Sequence, residues 1–126
     1  MGRVTATKAF SFCYGHYLAG HPGKCKNVHG HNSVLEVEVG MEQSHRDTNG
    51  NPDMVIDFGD LGKLVKPLIE KVDHQMLNDV FHTGRPTAEY LVEWFANNIN
   101  AALPRGLYVS SVKLTETPDN WATWSC

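Results

Sequence analysis

Three histidines near the start of the chain constrain its fold and chemistry more than any other feature. His29 and His31 are separated by Gly30 alone, and His16 precedes them by a short loop. In a β-strand, residues i and i+2 point to the same face, so His29 and His31 can present two imidazoles side by side. Three neutral imidazoles hold Zn²⁺ and leave one coordination position open, which is the pattern of a catalytic zinc site.

Cys25 lies four residues before His29 and allows three interpretations. In the first, a nearby cation such as Lys24, Lys26 or the metal favours the thiolate, which then acts as a base or nucleophile. In the second, Cys25 joins the three histidines and closes a four-ligand structural site. In the third, Cys25 is a small buried hydrophobic residue, as most free cysteines are, although Cys13 fits this description better than Cys25 does. The residues alone leave these interpretations open.

Length and composition define the broad class of protein. The 126 residues suffice for a single domain over residues 1–126 with one core. A net charge of −3 gives no basic surface, so nucleic acid is not an expected partner. Neither a membrane-spanning run nor a signal-peptide profile is apparent. Three cysteines without a framework spacing therefore predict reduced thiols in the cytoplasm.

The residue pattern in the first half of the chain predicts an antiparallel sheet. Residues 3–12 are rich in Thr and Phe, as is typical of a strand. From His29 to about Met41, apolar and polar residues alternate, which predicts a strand with one buried and one solvated face. Asn49-Gly50 is a strong hairpin signal, and residues 54–56 are predicted to return as a short antiparallel strand.

Two helices are predicted in the second half. The first begins after Asp57, carries an apolar stripe at three- and four-residue spacing, and is expected to end near residues 78–79. Pro67 should kink this helix or move its start to a later residue. The second helix begins at Thr87, a good N-cap, and has Glu89 in its first turn, where the helix dipole favours an acid.

The last predicted strand runs from Leu107 to about Thr117 and changes its alternation near residues 110 and 111. Because the helices are grouped rather than interleaved with strands, we expect an α+β fold: a four-stranded antiparallel sheet with two helices on one face. Such a small sheet leaves one face and both edges uncovered. We therefore expect a homo-oligomer that closes into a barrel, with a monomer of polar outer face as the alternative.

A carboxylate–imidazole pair and a late glutamate complete the candidate residues. In Asp73-His74 the carboxylate can fix the tautomer of the imidazole, although such pairs are also common on solvated surfaces. Glu116 lies on the apolar-parity side of the last strand, where a carboxylate is costly unless it is paired. A ligand with two adjacent N–H donors would satisfy both oxygens of Glu116, as would an Arg or Lys of the protein.

Together these segments resemble a known family. The segments are Gly23-Lys24-Cys25 through His29-Gly30-His31-Asn32, Val55-Ile56-Asp57-Phe58-Gly59-Asp60, Val72-Asp73-His74-Gln75-Met76-Leu77-Asn78, Pro86-Thr87-Ala88-Glu89 and Thr115-Glu116-Thr117. Their combination is similar to the 6-pyruvoyl-tetrahydropterin synthase and 6-carboxytetrahydropterin synthase family over nearly the whole chain. The specific part is a Cys four residues before His-Gly-His, together with the downstream Asp-His-x-x-Leu-Asn.

The resemblance implies the tunnelling fold, in which trimers form a barrel and two trimers stack as a homohexamer. It implies that Zn²⁺ is held by three residues, His16, His29 and His31. It implies that Cys25 is the general base and that Asp73 and His74 complete a proton relay, within one subunit or across a subunit boundary. The residues implied to contact the pterin substrate are Glu116, Thr87 and Glu89.

The implied substrate is 7,8-dihydroneopterin triphosphate. One branch of the family makes 6-pyruvoyl-tetrahydropterin, and the other releases acetaldehyde and gives 6-carboxytetrahydropterin on the route to queuosine. The short chain and the compact loop from His16 to Cys25 favour the second branch. A non-catalytic zinc or pterin binder is an alternative. A zinc hydrolase is disfavoured, because it needs a carboxylate base where this chain has a thiol.

Several positions depart from the common pattern of the family. Tyr14-Gly15 stand where two small residues commonly precede the first zinc histidine, and Tyr17 stands where an Arg commonly follows it. Tyr90 stands where an Asn often follows the glutamate of the second helix, and Ser33 replaces a common aromatic residue. The metal and relay residues are kept, so these departures concern selectivity for the substrate tail. A lyase acting on another pterin, such as sepiapterin, is a further alternative.

Overall fold

The computed structural model describes residues 2–42 and 53–126. Its strands are β1 (Ala6–His16), β2 (His29–Met41), β3 (Gln75–Met76), β4 (Leu107–Thr117) and β5 (Asn120–Ser125). Its helices are α1 (Phe58–Val72), α2 (Leu77–Phe81) and α3 (Ala88–Ala102), and a 3₁₀ turn at Lys24–Lys26 precedes β2. The predicted hairpin at Asn49-Gly50 lies outside the described residues.

The α+β class is confirmed, but the predicted sheet is wrong in its strand number and composition. Within the described residues, the sheet has five strands in the order β3-β1-β2-β4-β5, and it is mixed because β3 runs parallel to β1. Residues 54–56 form no strand; Val55 and Ile56 are buried, so their apolar character reflects packing and not strand pairing. The tail after Pro118 instead pairs with β4 as β5.

Helix α1 begins as predicted and ends earlier than predicted. The Oδ1 atom of Asp57 accepts hydrogen bonds from the backbone N–H groups of Gly59 (2.7 Å) and Asp60 (3.3 Å), which makes Asp57 the N-cap. Pro67 lies within the helix and neither delays its start nor stops it. The helix ends at Val72, because the residue after its C-cap, His74, is left-handed with φ 58°. The prediction that it continues to residues 78–79 is wrong.

The core lies between one face of the sheet and the helices. The described part of the chain contains three α-helices instead of the predicted two. Alternate residues of β1 and β2 are buried on this face, and the ring of Phe12 packs 5.9 Å from that of Phe95 on α3. Thr87 caps α3 as predicted, with its Oγ1 accepting from the N–H of Tyr90 at 3.1 Å. None of the helices within the described ranges combines the length and apolar character needed to span a bilayer.

The predicted change of alternation in β4 is a β-bulge. Glu38 pairs with Ser111, but Val39 pairs with Val109, so Ser110 is the extra residue. The hydroxyl of Ser110 donates to Oε1 of Glu38 at 2.6 Å. Because the bulge restores the inward direction of Val109, it keeps both halves of β4 packed on the core.

Candidate metal centre and active site

The pairing of β1 with β2 brings the three predicted histidines together at one end of the sheet. In this antiparallel register His16, the last residue of β1, pairs with His29, the first residue of β2, and Tyr14 pairs with His31. One ring nitrogen of each histidine lies within 4.8 Å of the others. The Nε2 atoms of His16 and His31 are 3.2 Å apart, as expected of two ligands that share one metal ion.

Backbone carbonyls orient two of the three imidazoles. The Nδ1–H of His16 donates to the carbonyl oxygen of Pro86, and that of His29 donates to the carbonyl oxygen of Asn27, both at 2.8 Å. In a neutral imidazole such a bond places the proton on Nδ1 and leaves Nε2 to bind a metal, which is how metal-binding histidines are commonly held. Three imidazole nitrogens supplied in this way suit Zn²⁺ with an open position.

The surroundings of His31 favour its neutral, metal-binding form. Burial lowers the pKa of His31 below its usual 6.5. The negative charge of Glu116 acts in the opposite direction, while the neighbouring His16 and His29 lower the pKa further. Because the lowering effects prevail, the lone pair of His31 remains available to a metal below the pH at which a free imidazole takes up a proton.

The side chain of Asn78 holds the backbone of Tyr17, the residue directly after His16. Its Oδ1 accepts from the N–H of Tyr17 at 3.0 Å and its Nδ2 donates to the carbonyl oxygen of Tyr17 at 2.9 Å, and the side chain is buried. The N–H of Leu18 then donates to the carbonyl oxygen of Cys25 at 2.8 Å, which closes the loop. The Asp-His-x-x-Leu-Asn motif includes Asn78, but no role of its own was predicted for this residue from the sequence.

Cys25 lies in the 3₁₀ turn before β2 and is half-buried. Among residues 2–42 and 53–126, the group of ligand atoms that contains the three histidine nitrogens includes no sulfur. This arrangement favours the interpretation of Cys25 as a thiol outside the ligand set over its interpretation as a fourth ligand.

Asp73 and His74 form the expected pair, but they lie against Cys13 and not against Cys25. The Oδ1 atom of Asp73 is 2.9 Å from Nδ1 of His74 and accepts from the backbone N–H of Cys13 at 3.0 Å. The left-handed backbone of His74 is held by its N–H, which donates to the carbonyl oxygen of Cys13 at 2.6 Å. The imidazole is largely exposed and can therefore reach groups outside this chain.

Cys13 is not the buried hydrophobic residue that the sequence favoured. It is half-buried on the side of β1 opposite to Tyr14, and its thiol donates to Oδ1 of Asn32 at 2.9 Å. Its sulfur lies within 4.8 Å of ligand atoms of Asp73 and His74. The strand alternation, which separates Cys13 from the buried Phe12 and Tyr14, was the signal for this placement.

Glu116 faces the histidines and is bonded to a residue that the sequence did not assign to the site. Its Oε2 atom lies 3.7 Å from Nε2 of His31 and 3.8 Å from Nε2 of His16. The hydroxyl of the buried Tyr14 donates a hydrogen bond to the same oxygen. Burial, followed by the hydrogen bond and the charge of Glu116, raises the pKa of Tyr14 far above its usual value, so the hydroxyl stays protonated.

Clefts lie beside the histidines and beside Glu116. One of about 500 Å³ is lined by His29, His31 and His74, among others. The other, of about 330 Å³, is lined by Glu89 and Glu116 together with residues of β5. The structure thus provides space beside the histidines and beside the glutamates predicted to contact a ligand, while Thr87 caps α3 next to them.

The fold and the histidine cluster define an α+β protein with a candidate three-histidine metal site. A family model for 6-pyruvoyl tetrahydropterin synthase matches residues 5–125 of the chain. The chain belongs to this family.

Curated relatives and a solved structure agree with this assignment. The chain is 31% identical over 139 residues to the 6-carboxy-5,6,7,8-tetrahydropterin synthase of Haemophilus influenzae, covering 94% of this chain and 96% of that one. It is 35% identical over 111 residues to the enzyme of that name from Synechocystis, covering 87% and 84%. It superposes on the 6-pyruvoyl tetrahydropterin synthase of Caenorhabditis elegans with a TM-score of 0.77 at 26% identity, covering 100% and 99%.

Proposed function

We propose that this protein is a zinc-dependent 6-carboxy-5,6,7,8-tetrahydropterin synthase, which converts 7,8-dihydroneopterin triphosphate to 6-carboxytetrahydropterin, acetaldehyde and triphosphate. The observation that carries the proposal is the convergence of three imidazole nitrogens beside the carboxylate of Glu116. The relatives named 6-carboxy-5,6,7,8-tetrahydropterin synthase support this branch of the family. The reaction belongs to queuosine biosynthesis and would take place in the cytoplasm.

His16, His29 and His31 would hold the zinc ion. The carbonyls of Pro86 and Asn27 keep two of these rings in the orientation that offers Nε2, and burial keeps His31 neutral. When bound there, zinc supplies a Lewis acid that polarises the oxygens of the substrate side chain and makes the neighbouring C–H group acidic.

Cys25 acts as the base that takes this proton. The thiol lies in a short turn between Lys24 and Lys26, four residues before His29, which is the first residue of β2. Asp73 holds the imidazole of His74 through Nδ1, which leaves Nε2 as the atom that exchanges a proton with the substrate or with the thiol.

Glu116 orients the substrate by accepting hydrogen bonds from the N–H edge of the pterin ring. A carboxylate can accept from two adjacent donors at once, as the amino group and ring N–H of a pterin provide. Glu89 lines the same cleft as Glu116, and Thr87 begins the helix that carries Glu89. We assign Glu89 and Thr87 to the lining of the pocket that binds the pterin ring.

The active site is completed by a second subunit of a homohexamer. Within one chain the Asp73–His74 pair lies against Cys13, and the exposed imidazole is free to face Cys25 of a neighbour. We expect that inactive Cys25→Ala and His74→Asn proteins, unfolded together and refolded as a mixture, regain a measurable part of the wild-type rate, because some interfaces then contain both intact groups. A mixture as inactive as its parents would place each site within one chain.

A product assay tests the activity directly. Zinc-loaded protein and 7,8-dihydroneopterin triphosphate should yield 6-carboxytetrahydropterin and one equivalent of acetaldehyde, identified by mass spectrometry and by an aldehyde-trapping reagent. A pyruvoyl product without acetaldehyde would assign the chain to 6-pyruvoyl-tetrahydropterin synthase activity. This activity is the second candidate, because the chain is also similar to the Caenorhabditis elegans enzyme of that name. Binding of a pterin without turnover would identify a non-catalytic binder.

A further inference from the structure

Tyr14 contacts three residues of the candidate site, although none of the roles proposed above involves it. It is 3% exposed, and its ring centroid lies 5.2 Å from that of His16 and 5.5 Å from that of His31. Its hydroxyl donates to Oε2 of Glu116. One side chain therefore packs against two of the three histidines and also binds the carboxylate that faces them.

The hydroxyl of Tyr14 determines which oxygen of Glu116 is free. Oε2 is the oxygen that approaches the histidines, at 3.7 and 3.8 Å, and it is also the oxygen that Tyr14 binds. No hydrogen bond to Oε1 of Glu116 is found among the described residues that would compete with a ligand. Without the tyrosine hydroxyl, Oε2 would lose its donor and the carboxylate would be free to turn.

We propose that Tyr14 is a positioning residue that holds the carboxylate of Glu116 at the angle needed to bind the N–H edge of a pterin. The inference rests on the proposed function, since it concerns the ligand of the same site. It assigns separate tasks to the two parts of Tyr14: the ring packs against the histidines, and the hydroxyl fixes the glutamate. A phenylalanine at this position would retain the first task and lose the second.

The test compares Tyr14→Phe with the wild-type protein in binding unsubstituted pterin, which has the N–H edge but no reactive side chain. Both proteins are zinc-loaded, and affinity is measured from the change in pterin fluorescence. We expect the dissociation constant to rise about tenfold, the effect of losing a hydrogen bond to a charged group, with zinc content unchanged. Tyr108→Phe is the control, because it also removes a tyrosine hydroxyl. Tyr108 lies on β4 and pairs with Gly40 of β2, so this variant should bind pterin like the wild type.

A second comparison separates positioning from a general loss of structure. In a Glu116→Gln background, adding Tyr14→Phe should weaken pterin binding less than it does in the wild type, because the hydroxyl acts through the carboxylate. Equal losses in both backgrounds, unchanged binding by Tyr14→Phe, or loss of its zinc would overturn the inference. A wild-type protein that binds no pterin would instead refute the proposed function, so the two failures are distinguishable.

Discussion

The protein with Cys25 replaced by alanine is expected to retain its zinc and to lose turnover. General acid–base groups typically contribute about 10²- to 10⁴-fold to a rate, so kcat for 7,8-dihydroneopterin triphosphate should fall within that range. The zinc content should remain at the wild-type level, because the proposed ligands are the clustered nitrogens of His16, His29 and His31, and the sulfur of Cys25 is not part of this cluster. The measurements are a steady-state rate and metal analysis of the same preparation.

Cys126→Ala is the matched control for this variant. It removes an exposed thiol from the last residue of the chain, beyond β5, and should leave both rate and zinc content unchanged. If Cys25→Ala loses zinc together with activity, the site is the closed arrangement of one thiolate and three imidazoles, and the role of the thiol as a base is wrong.

Replacement of His29 by alanine is expected to lower the affinity for zinc strongly. Losing an outer group that merely orients a ligand typically lowers metal affinity about 10- to 100-fold, so losing the ligand itself should cost more than about 100-fold. The remaining nitrogens of His16 and His31 would form an incomplete site. Competition with a chelator of known affinity measures the change, and turnover should fall with zinc occupancy.

His82→Asn provides the control for the loss of an imidazole. His82 is exposed at the end of α2 in a left-handed conformation that asparagine tolerates, so this variant should bind zinc like the wild type. Wild-type affinity in His29→Ala would contradict the assignment of His29 as a ligand. A similar loss in His82→Asn would indicate a metal site elsewhere in the chain.

The elements with strong local signals were predictable from the sequence. The alternation of β2, the N-caps Asp57 and Thr87, and the change of parity in β4 are all present in the structure. Residues 54–56 were misassigned because buried apolar residues of a bend and of a strand look alike over so short a run. The two-residue β3 follows a left-handed His74, and no periodicity over two residues could have indicated its parallel pairing with β1.

The candidate site was also predictable only in part from the sequence. The spacing of His29 and His31 predicts a shared face, because it depends only on the geometry of one strand. The contacts of Glu116 with Tyr14 and of Asp73 with Cys13 join residues 102 and 60 positions apart and depend on the register of the whole sheet. The sequence therefore indicated candidate site residues, while the neighbours that orient them became visible only in the structure.

X-ray absorption at the zinc edge of the loaded protein, without substrate, tests the central claim most directly. The claim is that three imidazoles hold the metal while the sulfur of Cys25 remains uncoordinated. It predicts a first shell of nitrogen and oxygen atoms at about 2.0 Å, with the outer-shell scattering of imidazole rings and no sulfur. A sulfur atom at about 2.3 Å that disappears in Cys25→Ala would contradict the claim.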